Sequence, residues 1–184
     1  GVEMALNKTY LNAGRNSASD ECMTPFYAVD PLKKYIPKGK KIWCPFDKEW
    51  SAFVQILKKD NIVLYSHIDE GQDFFKYQPD DFDLIISNPP FSVKDQVLER
   101  CYTLGKPFAL LLPVNSIQGK KRVKMFQAYG LEVLIFDTRI NYHTRGNLER
   151  TPKANHFGSA YFCKGILPSP LVFETLQKYD KALL

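Results

Sequence analysis

Asp83-Leu84-Ile85-Ile86-Ser87-Asn88-Pro89-Pro90-Phe91 sets the fold. Its apolar first half is short and predicts a buried strand. Asn88-Pro89-Pro90-Phe91 then falls at the carboxyl end of that strand, where open α/β sheets bind ligands. Pro89 and Pro90 have fixed φ and no N–H, so no local donor competes there. The side-chain oxygen of Asn88 and the carbonyl of Pro89 can both accept from one NH2 group. Two acceptors on one planar amine draw its hydrogens aside and free the nitrogen lone pair for attack. The ring of Phe91 offers a stacking face for a base. Asn-Pro also starts ordinary turns after strands, so a plain turn is the competing reading of these residues alone.

Outward from this strand, helices and strands alternate. Lys41–Cys44 predicts a strand stopped by Pro45, and Lys48–Lys59 a helix whose apolar face carries Trp50, Phe53, Val54, Ile56 and Leu57. Ile62–Ser66 is the next strand. Val93–Leu104 predicts a helix stopped by Gly105, followed by an apolar strand at Phe108–Leu112, a basic amphipathic helix at Lys120–Tyr129 and a strand at Val133–Phe136. Before the sheet, Pro25–Tyr35 predicts a helix ended by Pro37-Lys38-Gly39. After it, Asn141–Asn155 reads as a polar, basic, mobile loop, Phe157–Cys163 as a late antiparallel strand and Val172–Leu183 as a terminal helix. Such alternation argues for a mostly parallel sheet with helices on both faces; the late strand pair adds an antiparallel edge. Residues 1–21 read as a polar, flexible arm and 22–184 as one domain, with no separate target-recognition domain.

The chain has 184 residues, 45% of them hydrophobic and 14% aromatic, enough for a substantial core. A formal charge of +5 is compatible with nucleic acid and equally with an ordinary soluble protein. Cys22, Cys44, Cys101 and Cys163 are widely spaced, with no Cys-x-x-Cys pair and no His at finger spacing. This argues against a metal site and for buried free thiols in a reducing compartment. No apolar run is long enough to span a membrane, and the expected address is the cytoplasm of a bacterial or phage-infected cell.

Ile86-Ser87-Asn88-Pro89-Pro90-Phe91-Ser92 resembles the catalytic motif of the S-adenosylmethionine-dependent amino-methyltransferases, which include DNA adenine-N6, RNA base-amine and protein glutamine methyltransferases. Together with Gly71-Gln72-Asp73-Phe74-Phe75 and Gly105-Lys106-Pro107-Phe108-Ala109-Leu110-Leu111-Leu112-Pro113, it resembles most the small adenine-N6 methyltransferase-like proteins of phages and prophages. The resemblance spans residues 22 to 116. It implies a Rossmann-like class I methyltransferase fold, S-adenosylmethionine as cofactor, and Asn88, Pro89, Pro90 and Phe91 as the catalytic residues. The function implied is methyl transfer to the N6 amine of adenine in DNA. The alternatives are the same chemistry on RNA or on a protein glutamine, or an inactive relative that works by binding a partner.

By the same resemblance, Thr24, Pro25 and Tyr27 form an entry segment closing over the methionine end of the cofactor. Thr24 and Pro25 also suit an N-cap and a first helical residue on their own. Pro45, Phe46 and Asp47 occupy the place of the first cofactor motif, which departs from the family pattern: Cys44 stands where an acid is common and no glycine follows. Asp47 either accepts from the cofactor's ammonium group or caps the helix after it. Ser66 and His67 stand where an acid usually holds the ribose, and Ile68 can pack on the adenine. Asp73 would accept from the adenine amine with Phe74 beside the ring, although one of Phe74 and Phe75 is expected in the core. Asn88 also borders the cofactor. Beside Phe91, two basic groups could contact a nucleic-acid substrate: Lys120, Lys121 and Arg122, and Arg139, Arg145 and Arg150. Each could equally be a solvated surface.

Overall fold

The computed structural model describes residues 22–144 and 157–179. The strands in chain order are β1 (Cys22–Met23), β2 (Lys41–Cys44), β3 (Ile62–Tyr65), β4 (Leu84–Ser87), β5 (Phe108–Pro113), β6 (Glu132–Phe136), β7 (His143–Thr144), β8 (Ser159–Lys164) and β9 (Leu171–Glu174). The helices are α1 (Asp30–Lys33), α2 (Ala52–Leu57), α3 (Lys94–Leu104) and α4 (Lys120–Tyr129).

Seven strands form one sheet in the order β3-β2-β4-β5-β8-β6-β9. The β2–β3, β2–β4, β4–β5 and β6–β9 pairs are parallel; β8 runs antiparallel to both β5 and β6. Apolar residues alternate between the two faces and are buried on both, as a doubly covered sheet requires. Ile42, Cys44, Leu84, Ile86, Ala109 and Leu111 pack toward α1 and α2; Trp43, Ile85, Phe108, Leu110 and Leu112 pack toward α3 and α4. This is the Rossmann-like α/β architecture expected from the sequence, a mostly parallel sheet covered on both faces with an antiparallel strand.

The strand order reverses between β2 and β4, because β2 is followed in sequence by β3 on its other side. Such a switch point opens a crevice at the carboxyl ends of the two strands. Pro45-Phe46-Asp47 leaves β2 there and Asn88-Pro89-Pro90-Phe91 leaves β4 there. β1 and β7 form a separate antiparallel ladder, with Met23 opposite His143. Asn141 N–H adds a 2.9 Å hydrogen bond to the Tyr27 hydroxyl, so the entry segment is tied to residues 141–144 at two places.

Three expectations are corrected. Residues 171–174 are strand β9 rather than part of a terminal helix: Leu171-Val172-Phe173-Glu174 pairs in parallel with β6, whose ladder takes up their backbone groups. Residues 175–179 have no regular structure, and 180–184 lie outside the described residues. The Pro25–Tyr35 helix is broken into a 3-10 turn at Phe26–Ala28 and the single turn α1. The helix expected from Lys48 begins at Ala52, so Asp47 is not its cap. Of the loop expected over Asn141–Asn155 only residues 141–144 are described, and they carry β7; the arm expected at 1–21 lies outside the described residues. The other strand and helix boundaries agree closely, including Gly105, whose φ of 72° ends α3 in the left-handed conformation.

Candidate active site

The tetrapeptide emerges where a fully buried strand runs out of neighbours. Ser87 is buried; Asn88 is half-buried; Pro90 then leads into a 3-10 turn at Phe91–Val93 that starts α3. The Asn88 side-chain amide donates from Nδ2 to Thr24 Oγ1 at 3.1 Å. That contact joins two segments 64 residues apart in sequence. It also turns Oδ1 to the opposite side of the planar amide, away from the Thr24 hydroxyl. Thr24 therefore contacts the Asn88-Pro89-Pro90-Phe91 segment and does not cap a helix: Pro25 holds the N-cap position of the 3-10 turn, and no side chain caps it. Pro25 and Tyr27 are buried beneath this contact.

Phe91 is met edge-on by Phe157, with ring centroids 5.7 Å apart, and by Tyr142, at 6.4 Å. Tyr142 and Phe157 stack on each other at 6.1 Å, and the Tyr142 hydroxyl donates to Ser159 Oγ at 2.8 Å. Sequence reasoning missed Tyr142 and Phe157. Their signal in the sequence is weak: Tyr142 falls inside the polar stretch 141–155 that reads as one loop, and Phe157 falls two residues after it.

Asp47 lies behind the motif. Its carboxylate accepts from Ser87 Oγ at 3.0 Å and also from the Ser51 hydroxyl, while its own N–H donates to the Ser66 carbonyl. Asp47 thus clamps the ends of β2, β3 and β4 together. Burial pushes its pKa up to about 7, against the lowering effect of the two serine hydrogen bonds.

The other predicted cofactor residues divide into two groups. Ser66 is buried, and its hydroxyl accepts from Trp43 Nε1 at 2.9 Å inside the sheet. Phe74 is fully buried against Trp43 and Phe46, with the Arg100 guanidinium 5.3 Å over its ring. These two side chains belong to the core. Pro45 is buried too. Phe46, His67, Ile68 and Asp73 remain half-exposed on the loops after β2 and β3. His67 Nδ1 accepts from Asp69 N–H at 3.0 Å, which places the neutral ring's hydrogen on Nε2. Asp73 Oδ1 accepts from Phe75 N–H at 2.9 Å in a local turn. A donor imidazole, a carboxylate and two partly buried apolar side chains are a donor set suited to ribose hydroxyls and a purine.

Of the basic residues, Arg122 is internal. It donates to Ser116 O at 2.6 Å, Gln118 O at 2.7 Å and Asp95 Oδ1 at 2.7 Å. Lys121 faces Glu99 at 3.1 Å, whereas Lys120 and Arg139 are exposed. Arg145 and Arg150 lie outside the described residues. Cys44, Cys101 and Cys163 are buried free thiols whose pKa values burial raises. Among the described residues no cluster of His, Cys, Asp or Glu could hold a metal ion, and no helix is long and apolar enough to cross a membrane.

No family model matches the chain, and no curated protein matches it by sequence. Solved structures do resemble it. A chain assigned as the modification subunit of a type I restriction enzyme from Vibrio vulnificus superposes with a TM-score of 0.49 and 11% identity, over 98% of this chain and 53% of that one. The type I restriction-modification system methyltransferase subunit from Streptococcus thermophilus gives 0.46 and 11%, over 84% and 47%. A chain assigned to the class I S-adenosylmethionine-dependent methyltransferases, from Listeria monocytogenes, gives 0.48 and 12%, over 96% and 72%. The chain spans about half the length of the first two. The fold itself rests on strand order and register.

Proposed function

We propose that this protein transfers a methyl group from S-adenosylmethionine to the exocyclic N6 amine of adenine in DNA. The observation that carries the reading is the placement of Asn88, at the switch point of the sheet with its amide nitrogen held by Thr24 and an aromatic cluster beside it. S-adenosylmethionine would supply a methyl group activated on a sulfonium. Phe46, His67, Ile68 and Asp73 are the residues that would hold it, with Thr24 acting through Asn88. Asn88 Oδ1 and the Pro89 carbonyl accept the two hydrogens of the target amine, leaving its lone pair directed at the methyl donor. Phe91, supported from the side by Phe157 and Tyr142, stacks on the base and fixes its plane. The amine loses its proton after attack, so no strong general base is required. A base within a duplex must leave the stack to reach Asn88.

One observation favours a second reading. Ser66 and Phe74, both expected at the cofactor, are committed to the core, and the turn after β2 has no glycine. These features suit a relative that has lost catalysis and binds a partner. Two measurements separate the readings. Calorimetric titration with S-adenosylmethionine and its demethylated product should give saturable heat; no heat at millimolar ligand favours the partner-binding protein. Nucleoside mass spectrometry of DNA and RNA from expressing cells should show N6-methyladenine in DNA. Label in RNA or on protein glutamine instead would reassign the substrate.

Thr24→Val removes the acceptor for Asn88 Nδ2 while preserving shape. The amide is then free to present its NH2 to the target amine, donor against donor. Turnover should fall roughly 3- to 10-fold, the worth of one hydrogen bond, with KM for both substrates little changed. Thr24→Ser should restore it. A rise in the KM for S-adenosylmethionine alone would make Thr24 a cofactor ligand instead.

A further inference from the structure

Two of the exposed large apolar side chains lie between the aromatic cluster and α4: Val114, 36% exposed, and Ile117, 48% exposed. They begin and end the 3-10 turn Val114–Ile117, which follows directly on β5. At a spacing of three residues in a 3-10 turn, side chains eclipse, so the two stand side by side. The turn is rigidly held. Val114 N–H donates to the Gly158 carbonyl at 2.8 Å, next to Phe157, whose ring touches Phe91. On its other side the Arg122 guanidinium grips the carbonyls of Ser116 and Gln118 and is anchored in turn on Asp95 of α3. Ser116 is fully buried at the centre. An arginine with a side chain only 14% exposed holds this apolar tip in place.

The flanks of the tip are cationic. Lys120 is exposed three residues after Ile117. Arg139 is exposed on the other side, its stem beside the same Gly158 that Val114 touches. The turn from Val114 to Gln118 itself carries no carboxylate. Fixed apolar bulk between cations, bordering an aromatic cluster, is complementary to one kind of partner: a stacked polyanion with a gap in its stack.

We propose that Val114 and Ile117 form a wedge that enters duplex DNA and fills the space left by the adenine withdrawn toward Phe91. This rests on the reading of the protein as a DNA methyltransferase and adds how the base is made available. Filling the gap offsets part of the unstacking cost, and Lys120 and Arg139 meet the phosphates on either side. Arg122 sets the wedge's position without touching DNA. A single-stranded target has no gap to fill, so the wedge matters for duplex alone.

The test compares methyl transfer from labelled S-adenosylmethionine to unmethylated genomic DNA and to the same DNA after heat denaturation. The double variant Val114→Ala/Ile117→Ala should lose at least 10-fold on the duplex and stay within 2-fold of the parent on denatured DNA. The denatured substrate doubles as the control for folding. Ile117→Met, which keeps apolar bulk, should retain duplex activity. Equal losses on both substrates, or none on the duplex, overturn the wedge while leaving the methyltransferase reading intact. A parent that labels only denatured DNA also overturns it. A parent that labels neither removes the DNA reading, and the wedge with it.

Discussion

Asn88→Ala is expected to abolish methyl transfer while leaving affinity for S-adenosylmethionine within a few-fold. The lost group is a fixed acceptor for the target amine. Deleting one preorganised hydrogen-bonding group of this kind raises a barrier by about 3–4 kcal/mol, roughly a 10²- to 10³-fold loss in kcat. The structure adds a reason for a large effect: the Asn88 amide is held from behind by Thr24 at 3.1 Å, so its geometry is set before substrate arrives. Alanine removes both the acceptor and its anchor. Asn88→Asp keeps an oxygen on each side and should lose less, because the Thr24 hydroxyl can reverse its role from acceptor to donor. The measurement is single-turnover transfer at saturating cofactor, with affinity read separately by calorimetry. Normal turnover in Asn88→Ala would reduce Asn88-Pro89-Pro90-Phe91 to a turn between β4 and α3.

The strand that presents Asn88 was legible in the sequence because its signal is local. Leu84, Ile85 and Ile86 are buried whichever face they take, and a doubly covered sheet buries both faces. Lys120–Tyr129 and the Gly105 stop were legible for the same reason, since helical periodicity and a left-handed cap are written within a few residues. β9 was not. Residues 171–174 have a composition that suits a helix face or a strand, and only pairing with β6 decides between them. In the site, Asn88 and Phe91 could be located, but the directions of the side chains around them could not. Ser66 turns inward because Trp43 needs an acceptor for its buried indole N–H, a demand created by a residue 23 positions away. Arg122 looked like a phosphate ligand because a run of cations carries no record of Asp95, 27 residues before it. Tyr142 and Phe157 reach Phe91 only through the antiparallel return of β8.

Asp47→Asn is expected to remove a pH dependence of stability that the parent protein shows between about pH 4 and pH 7. Asp47 is buried at the ends of β2 and β4, and burial raises its folded pKa from the ordinary carboxylate range, near 3.8, to about 7. A carboxyl group with a raised folded pKa binds its proton more tightly in the native state than in the unfolded chain. Its stabilising contribution is therefore full below about pH 4 and declines as pH rises, until it is gone above the folded value. Each pKa unit is worth about 1.4 kcal/mol, so between pH 5 and pH 8 the parent should lose roughly 3 kcal/mol relative to the asparagine variant. Cys44 and Tyr161, the titratable neighbours that feel Asp47, have pKa values raised well above their usual range and stay neutral throughout this window. Asparagine keeps an oxygen for the Ser87 and Ser51 hydroxyls, so the clamp on β4 survives the substitution. Urea unfolding of both proteins at pH 5 and pH 8 isolates the difference. Parallel changes in the two would mean that Asp47 titrates as an ordinary carboxyl, and that the end of β4 behind Asn88 is reached by water.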